Sequence, residues 1–173
     1  MVNLAIIVSF FISVFILNGI TIENLFFSFQ SPENVFKYTR FGEIIDVVHG
    51  NNSSIVYYST GNSNSSLIIP KTGKGYKIPN DLSVKRVSYK FDDDGTFWIY
   101  SVVGTSDYYI RGVVIVHGNE IDIKDHNNNE ISAKINYREE MGITTISINH
   151  FVEGFTNDYY LLINDKKVYV AKR

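Results

Sequence analysis

From Val2 to Ile22 the chain is apolar apart from Asn3, Ser9, Ser13, Asn18, Gly19 and Thr21, and its first charged side chain is Glu23. An uncharged stretch of this length reaches the roughly 20 residues that a helix needs to cross a hydrocarbon core of about 30 Å. Phe10, Phe11 and Phe15 add bulk that a secretory apolar core seldom carries. No Lys or Arg precedes the run, and no small-residue cleavage pair follows it. The pattern predicts a transmembrane anchor rather than a cleaved signal peptide or a buried core helix. Residues 1–30 form this anchor and its membrane-proximal segment, where Leu25-Phe26-Phe27-Ser28-Phe29 carries the apolar character to the membrane surface.

Ser31-Pro32-Glu33 then reads as a helix start. Ser31 can accept a bond from a free backbone N–H, Pro32 has no donor to leave unpaired, and Glu33 favours the positive end of the dipole. Val35, Phe36 and Phe41 give this short helix an apolar side, and Gly42 closes it. From Glu43 onward, short runs of Val, Ile, Tyr and Thr alternate with clusters of Gly, Asn, Asp and Ser, the signature of β-strands and tight turns. The strands fall at Glu43–His49, Ser54–Thr60, Leu67–Lys71, Tyr76–Pro79, Val84–Phe91 and Thr96–Val103, then at Tyr108–His117, Glu120–Lys124, Ile131–Tyr137, Ile143–Phe151, Tyr159–Ile163 and Val168–Ala171. These twelve runs fall at the roughly 8–12-residue spacing of sandwiches and barrels.

The expected fold is mainly β, built of antiparallel hairpins or a meander in a sandwich- or barrel-like arrangement, with one N-terminal transmembrane helix and one short helix. Two subregions follow the anchor: a helix with hairpins over 31–82 and an antiparallel β region over 83–173. Pro79-Asn80-Asp81 marks the seam, because Pro ends a strand and Asn and Asp favour turns. The polar stretch Ser59–Ser66 is explained by a hairpin loop.

Composition narrows the function classes. Among 173 residues, 45% hydrophobic, there is no cysteine, and 16 Lys+Arg stand against 18 Asp+Glu. Disulfides, thiolate metal sites, a Cys nucleophile and a lipidated N-terminal Cys are excluded. Interleaved charge of both signs argues against nucleic acid as a partner, since that needs a clustered basic footprint. For orientation, Lys37 and Arg40 are the first basic residues after the run, so the positive-inside count favours a cytoplasmic C-terminus. A Cys-free, Tyr- and Asn-rich β region behind a single span favours the opposite placement, and an extracytoplasmic C-terminal region at the cell membrane is expected.

Candidate chemistry is sparse. Asp92-Asp93-Asp94-Gly95 fails as an EF-hand loop, which needs Gly sixth and Glu twelfth, where this chain has Phe97 and Val103. Asp125-His126-Asn127-Asn128-Asn129-Glu130 fails on the same test, with Glu130 and Asn136 in those places. Thr72-Gly73-Lys74-Gly75 lacks both the earlier Gly and the later hydroxyl of a phosphate loop, and reads as a hairpin. His49, His117, His126 and His150 show no metal-ligand spacing, and three of them, His49, His117 and His150, lie at or near strand ends. No G-x-S-x-G elbow accompanies them. No residue is assigned as catalytic, cofactor-binding or metal-ligating, and no cofactor is expected. Aromatic residues are the better lead. In Tyr57-Tyr58, Tyr108-Tyr109 and Tyr159-Tyr160, strand alternation turns one ring of each pair to the core and the other to the opposite surface. Outward rings on one face would make a platform for a glycan or an extended peptide.

The order Ser31-Pro32-Glu33, Glu43-Ile44-Ile45-Asp46-Val47-Val48, a hairpin, Gly75-Tyr76-Lys77, Phe97-Trp98-Ile99-Tyr100 and a closing Asn164-Asp165-Lys166-Lys167-Val168-Tyr169 resembles a loosely defined group of uncharacterised Firmicute proteins. These are single-span, membrane-anchored and β-rich, with a hairpin ending in Gly-aromatic-Lys. Tyr76 stands where Trp is commoner in the group. The resemblance implies location and build, and carries no activity. The expected function is a binding, sensing or interaction module of the cell envelope. Its partners are the membrane, through Val2 to Ile22, and an envelope polymer or another protein. The competing readings are a membrane-anchored envelope hydrolase and an immunity-like or structural membrane protein.

Overall fold

A computed structural model describes residues 21–80, 84–93 and 95–171, together with Ser9 and Ser13. Apart from Ser9, Ser13, Thr21 and Ile22, the run read as an anchor lies outside the described residues. Among those described, no helix is long and apolar enough to cross a membrane. The fold is mainly β, and the chain divides into two compact units, Met1–Val84 and Lys85–Arg173.

The first unit holds two short helices, α1 (Glu23–Phe26) and α2 (Pro32–Thr39), and the strands β1 (Glu43–His49), β2 (Ser53–Ser59), β3 (Asn64–Thr72) and β4 (Gly75–Tyr76). The strands form one antiparallel meander in the order β1-β2-β3-β4. The start of α2 is capped as its sequence predicts. The Ser31 hydroxyl accepts from the Asn34 N–H at 3.3 Å, and Pro32 occupies the first turn. A hydrogen bond from Ser31 holds the Glu33 carboxyl below its ordinary pKa. Val35 and Phe36 are buried against the sheet, where the Phe36 ring lies 4.8 Å from that of Tyr58. Phe41 does not join them. The helix ends at Thr39 and Arg40 is extended (φ −141°), so the chain leaves the helical register and Phe41 stands 80% exposed. The polar stretch also differs from expectation. Asn64, Ser65 and Ser66 belong to β3 and pair with Ser59, Tyr58 and Tyr57, so that only 60–63 turns.

The segment from Asn24 to Phe29 is tied to the far end of this meander. Phe29 and Tyr76 exchange backbone hydrogen bonds of 2.9 and 2.8 Å. The Asn24 carboxamide accepts from the Ile78 N–H at 2.8 Å and donates to the Ile78 carbonyl at 2.7 Å. Lys77 Nζ donates to the carbonyls of Asn24 (2.7 Å) and Phe27 (2.8 Å), at the end of α1 where carbonyls lack partners. Gly75 permits this closeness. Its φ is +119°, and a Cβ there would sit 2.4 Å from the Phe29 carbonyl oxygen. Residues 77–80 are consequently not strand: the Asn24 side chain takes Ile78's backbone, and Pro79 has no N–H to give.

The second unit contains β5 (Val84–Asp92), β6 (Gly95–Val102), β7 (Asp107–His117), β8 (Ile123–Lys124), β9 (Ala133–Arg138), β10 (Ile143–Glu153), β11 (Tyr160–Ile163) and β12 (Lys166–Tyr169). They form a five-stranded sheet, β5-β6-β7-β10-β9, and a three-stranded one, β12-β11-β8. Phe97, Ile99, Ile110, Ile146 and Ile148 from the large sheet share one core with Ile123, Leu161, Ile163 and Val168 from the small one. Asn164 and Asp165 both have positive φ (49° and 61°), as a tight hairpin between β11 and β12 requires. The Asn164 carboxamide also accepts from the Asp122 N–H and donates to the Glu120 carbonyl, which shortens β8 from the expected 120–124.

Within this core Gly112 lies opposite Phe97 across β6 and β7, and a Cβ at that position would stand 2.6 Å from the ring. Phe97 itself is fully buried. Gly112→Ala should therefore overpack the site and cost about 1–3 kcal/mol, read as a lower urea midpoint with an unchanged slope. An unaltered midpoint would mean that the ring moves aside freely.

Candidate functional site

The tyrosine pairs are not equivalent in the structure. Tyr57 and Tyr58 are both buried, because both faces of β2 are covered. Tyr109 is fully buried, its ring 5.8 Å from that of Phe151, while Tyr108 is half-buried on the core side. Tyr159 is buried and Tyr160 half-buried. Of the six rings, Tyr108, Tyr159 and Tyr160 are brought into one contact series by residues that the dipeptide pattern did not single out. Tyr108 meets Phe155 at 5.7 Å, Phe155 meets Tyr159 at 5.9 Å, and Tyr159 meets the His126 imidazole edge-on at 4.5 Å. His126 lies 6.4 Å from Tyr160, which pairs with Tyr169 across β11 and β12 at 5.7 Å. Lys167 Nζ sits 4.5 Å above the Tyr160 ring.

Alternation explains the outer end of this series. Leu161, Ile163 and Val168 enter the core, so Tyr160, Lys167 and Tyr169 fall on the other face of the three-stranded sheet. That face is half-open, aromatic and cationic, with exposed His126 at its border. The alternation of Lys167, Val168 and Tyr169 in the sequence carries this information once the strand is recognised.

The loop that presents His126 is held by one carboxylate. Asp125 is buried and accepts from the N–H groups of Asn127 and Asn129 and from the Asn129 carboxamide, each at 2.8 Å. Asn128 completes the turn in the left-handed region (φ 67°). Burial by itself would raise the Asp125 pKa, but these hydrogen bonds and nearby His126 hold it below the ordinary value. The motif that fails as a calcium loop is thus a turn whose carboxylate binds its own backbone.

Behind the loop, His150 Nε2 lies 3.0 Å from the Tyr159 hydroxyl. Burial lowers the His150 pKa against the field of Asp125, and burial raises that of Tyr159 well above the ordinary phenol range. Near neutral pH the pair is an uncharged hydrogen bond that orients the Tyr159 ring. His150 stands inside β10, opposite Ile110, rather than at a strand end. A cavity of about 410 Å³ is lined by Ile121, Ile123, Ile131, Ala133 and Ile135, with Asp122, Glu130 and Ser132 as its polar groups. A Ser–His pair also occurs in the first unit, His49 Nδ1 to Ser54 Oγ at 2.9 Å, but Ser54 is 0% exposed and out of reach of a substrate.

The remaining motifs occupy turns. Thr72-Gly73-Lys74-Gly75 joins β3 to β4, with Thr72 and Gly75 paired. The acidic run reaches from the last residue of β5, Asp92, to the first of β6, Gly95, and its Asp94 is outside the described residues. Among the described residues no group of three or more His, Asp or Glu could hold a metal ion. Compared with known proteins, the chain matches no protein family, no curated relative and no solved structure.

The buried His150 makes a pH prediction. Its folded pKa lies below 6.5, so the unfolded chain takes up a proton that the folded chain resists, and stability falls as pH drops through and below that value. The urea midpoint of the second unit should be lower at about pH 5.5 than at about pH 7.5, and His150→Gln should flatten that difference. Asp125 does not interfere, because a depressed carboxyl loses its contribution only in more acid solution, below about pH 4. An undiminished pH dependence in His150→Gln would contradict the assignment.

Proposed function

We propose that this chain is a membrane-anchored, extracytoplasmic β-rich module of the cell envelope that binds or senses an envelope polymer or another protein. The carrying observation is the half-open face formed by Tyr160, Tyr169, Lys167 and His126 on a sheet whose other side is core. Aromatic rings offer apolar faces with little rotamer entropy to lose, and a neighbouring ammonium or imidazole adds polar contacts; sugar rings and extended peptides use both. The Asp125 turn holds the loop that carries His126, and the β11–β12 pairing sets Tyr160 against Tyr169 before a ligand arrives, which lowers the cost of ordering them on binding.

Anchoring rests on the uncharged run Val2–Ile22. Ser9 and Ser13 are both helical, and the Ser13 hydroxyl donates to the Ser9 carbonyl at 2.8 Å. Such a back-bond satisfies a serine donor where no water can. Binding is favoured over hydrolysis by the chemistry in place, since the His150 Nε2 is taken by the hydroxyl of buried Tyr159 and the Ser54 beside His49 is fully buried.

Two outcomes follow. A tag placed after Arg173 should be lost when intact cells are shaved with protease; survival until lysis would put the β region in the cytoplasm and end the envelope reading. In detergent micelles the full chain should co-sediment with isolated cell-wall material. Replacing Tyr160 and Tyr169 together with Ser should weaken that association by at least about fivefold, roughly 1 kcal/mol. Equal co-sedimentation of the doubly substituted chain would remove this face from the account.

A further inference from the structure

We propose that the first unit rests directly on the bilayer surface, through Ile22, Leu25, Phe26, Phe27 and Tyr38, rather than hanging from its anchor on a free stalk. The inference rests on the anchoring reading above and adds where the folded unit sits.

The geometry begins with Asn24. Its carboxamide is pinned by two hydrogen bonds to Ile78, which sets the rotation of α1. At about 100° per residue, Leu25 then falls about 100° from Asn24, and Phe26 and the αR N-cap Ile22 about 160° away, turned from Ile78. They are accordingly exposed, Leu25 by 52% and Phe26 by 80%, and α1 buries no residue at all. Phe27 continues this surface into a ring cluster, 5.4 Å from Phe29 and 6.1 Å from Tyr38, which is itself 57% exposed. An element that buries nothing and holds its apolar side chains outward by polar bonds on its other side is built to be covered.

The chain itself identifies what covers it. Val2–Ile22 is uncharged over a bilayer's length and enters the fold at the first residues of this same surface. The surface is thus delivered to the edge of the hydrocarbon whenever the run is inserted. Its composition suits that depth: Phe and Tyr belong to the aromatic belt at the lipid–water boundary. Exposed Lys37 and Arg40 flank Tyr38 on α2 and its end, where they can meet lipid phosphates.

Because the chain has no cysteine, single-cysteine variants give clean labels. Phe15→Cys, Phe26→Cys and Asn62→Cys would each carry an environment-sensitive dye, with the full chain reconstituted in phosphatidylcholine/phosphatidylglycerol vesicles. Quenching by a shallow lipid nitroxide is compared with quenching by aqueous iodide. The expected result is a nitroxide-to-iodide ratio several-fold higher at positions 15 and 26 than at 62, which lies in the turn between β2 and β3. Leu25→Cys should match Phe26→Cys, which guards against a local disturbance at one site. Lipid quenching at 15 with iodide quenching at 25 and 26 equal to that at 62 would overturn the seated unit and leave the anchor standing. Iodide access at 15 as well would overturn the anchoring reading and the seat with it.

Discussion

One carboxamide settles where the apolar run ends and the folded chain begins. Asn24 pairs with both backbone groups of Ile78 as a neighbouring strand would, and Lys77 closes over the last carbonyls of the same turn. An isolated helical turn of four residues has no stability of its own. Here it is held by bonds to residues more than fifty positions away and by the Phe29–Tyr76 bridge. Phe29, Tyr76 and Ile78 in turn pack against the core under α2. The segment Glu23–Phe29 is therefore part of the first unit's sheet edge, and the direction in which its apolar side chains point is a consequence of that bonding.

The second unit solves a different problem with the same means. Its two sheets bury one face each in a common core, and polar side chains finish the margins where strands stop. Asn164 replaces a strand partner for residues 120–122, and Asp125 replaces one for the turn at 127–129. Both use short side chains that bind nearby backbone groups, an ability that makes Asn and Asp turn residues in the first place. The result is a rigid rim around rings that remain half-open, while His150 and Tyr159 stay neutral behind them.

Much of this was legible along the chain. Period-two alternation and Gly, Asn and Asp punctuation located the strands; β1 falls where it was read, and most others agree to within a residue or two at each end. Ser31-Pro32-Glu33 announced α2, because a cap is local chemistry. Apart from Phe41, which follows a locally extended Arg40, the failures are non-local. Tyr76–Pro79 and Glu120–Lys124 read as strands, yet distant Asn side chains take their backbone bonds. Helix α1 carried no periodic signal, since its partners lie fifty residues on. At the candidate face, the Tyr159-Tyr160 pair was visible, but Tyr169, His126 and Phe155 join it only through strand pairing and loop closure. The order β5-β6-β7-β10-β9 has no local signature either, because β10 reaches β7 past two intervening strands.

The central claim is that the helical turn Glu23–Phe26 opens only with the unit it is bonded to. Native-state hydrogen exchange on the full chain in micelles tests this most directly. The amides of Phe29, Tyr76 and Ile78 should exchange with the same protection as that of Ile69, which is fully buried in the first unit's core. Exchange at those three amides as fast as at Asn62 in the exposed turn, with Ile69 still protected, would show that the segment is loosely attached and would contradict the account.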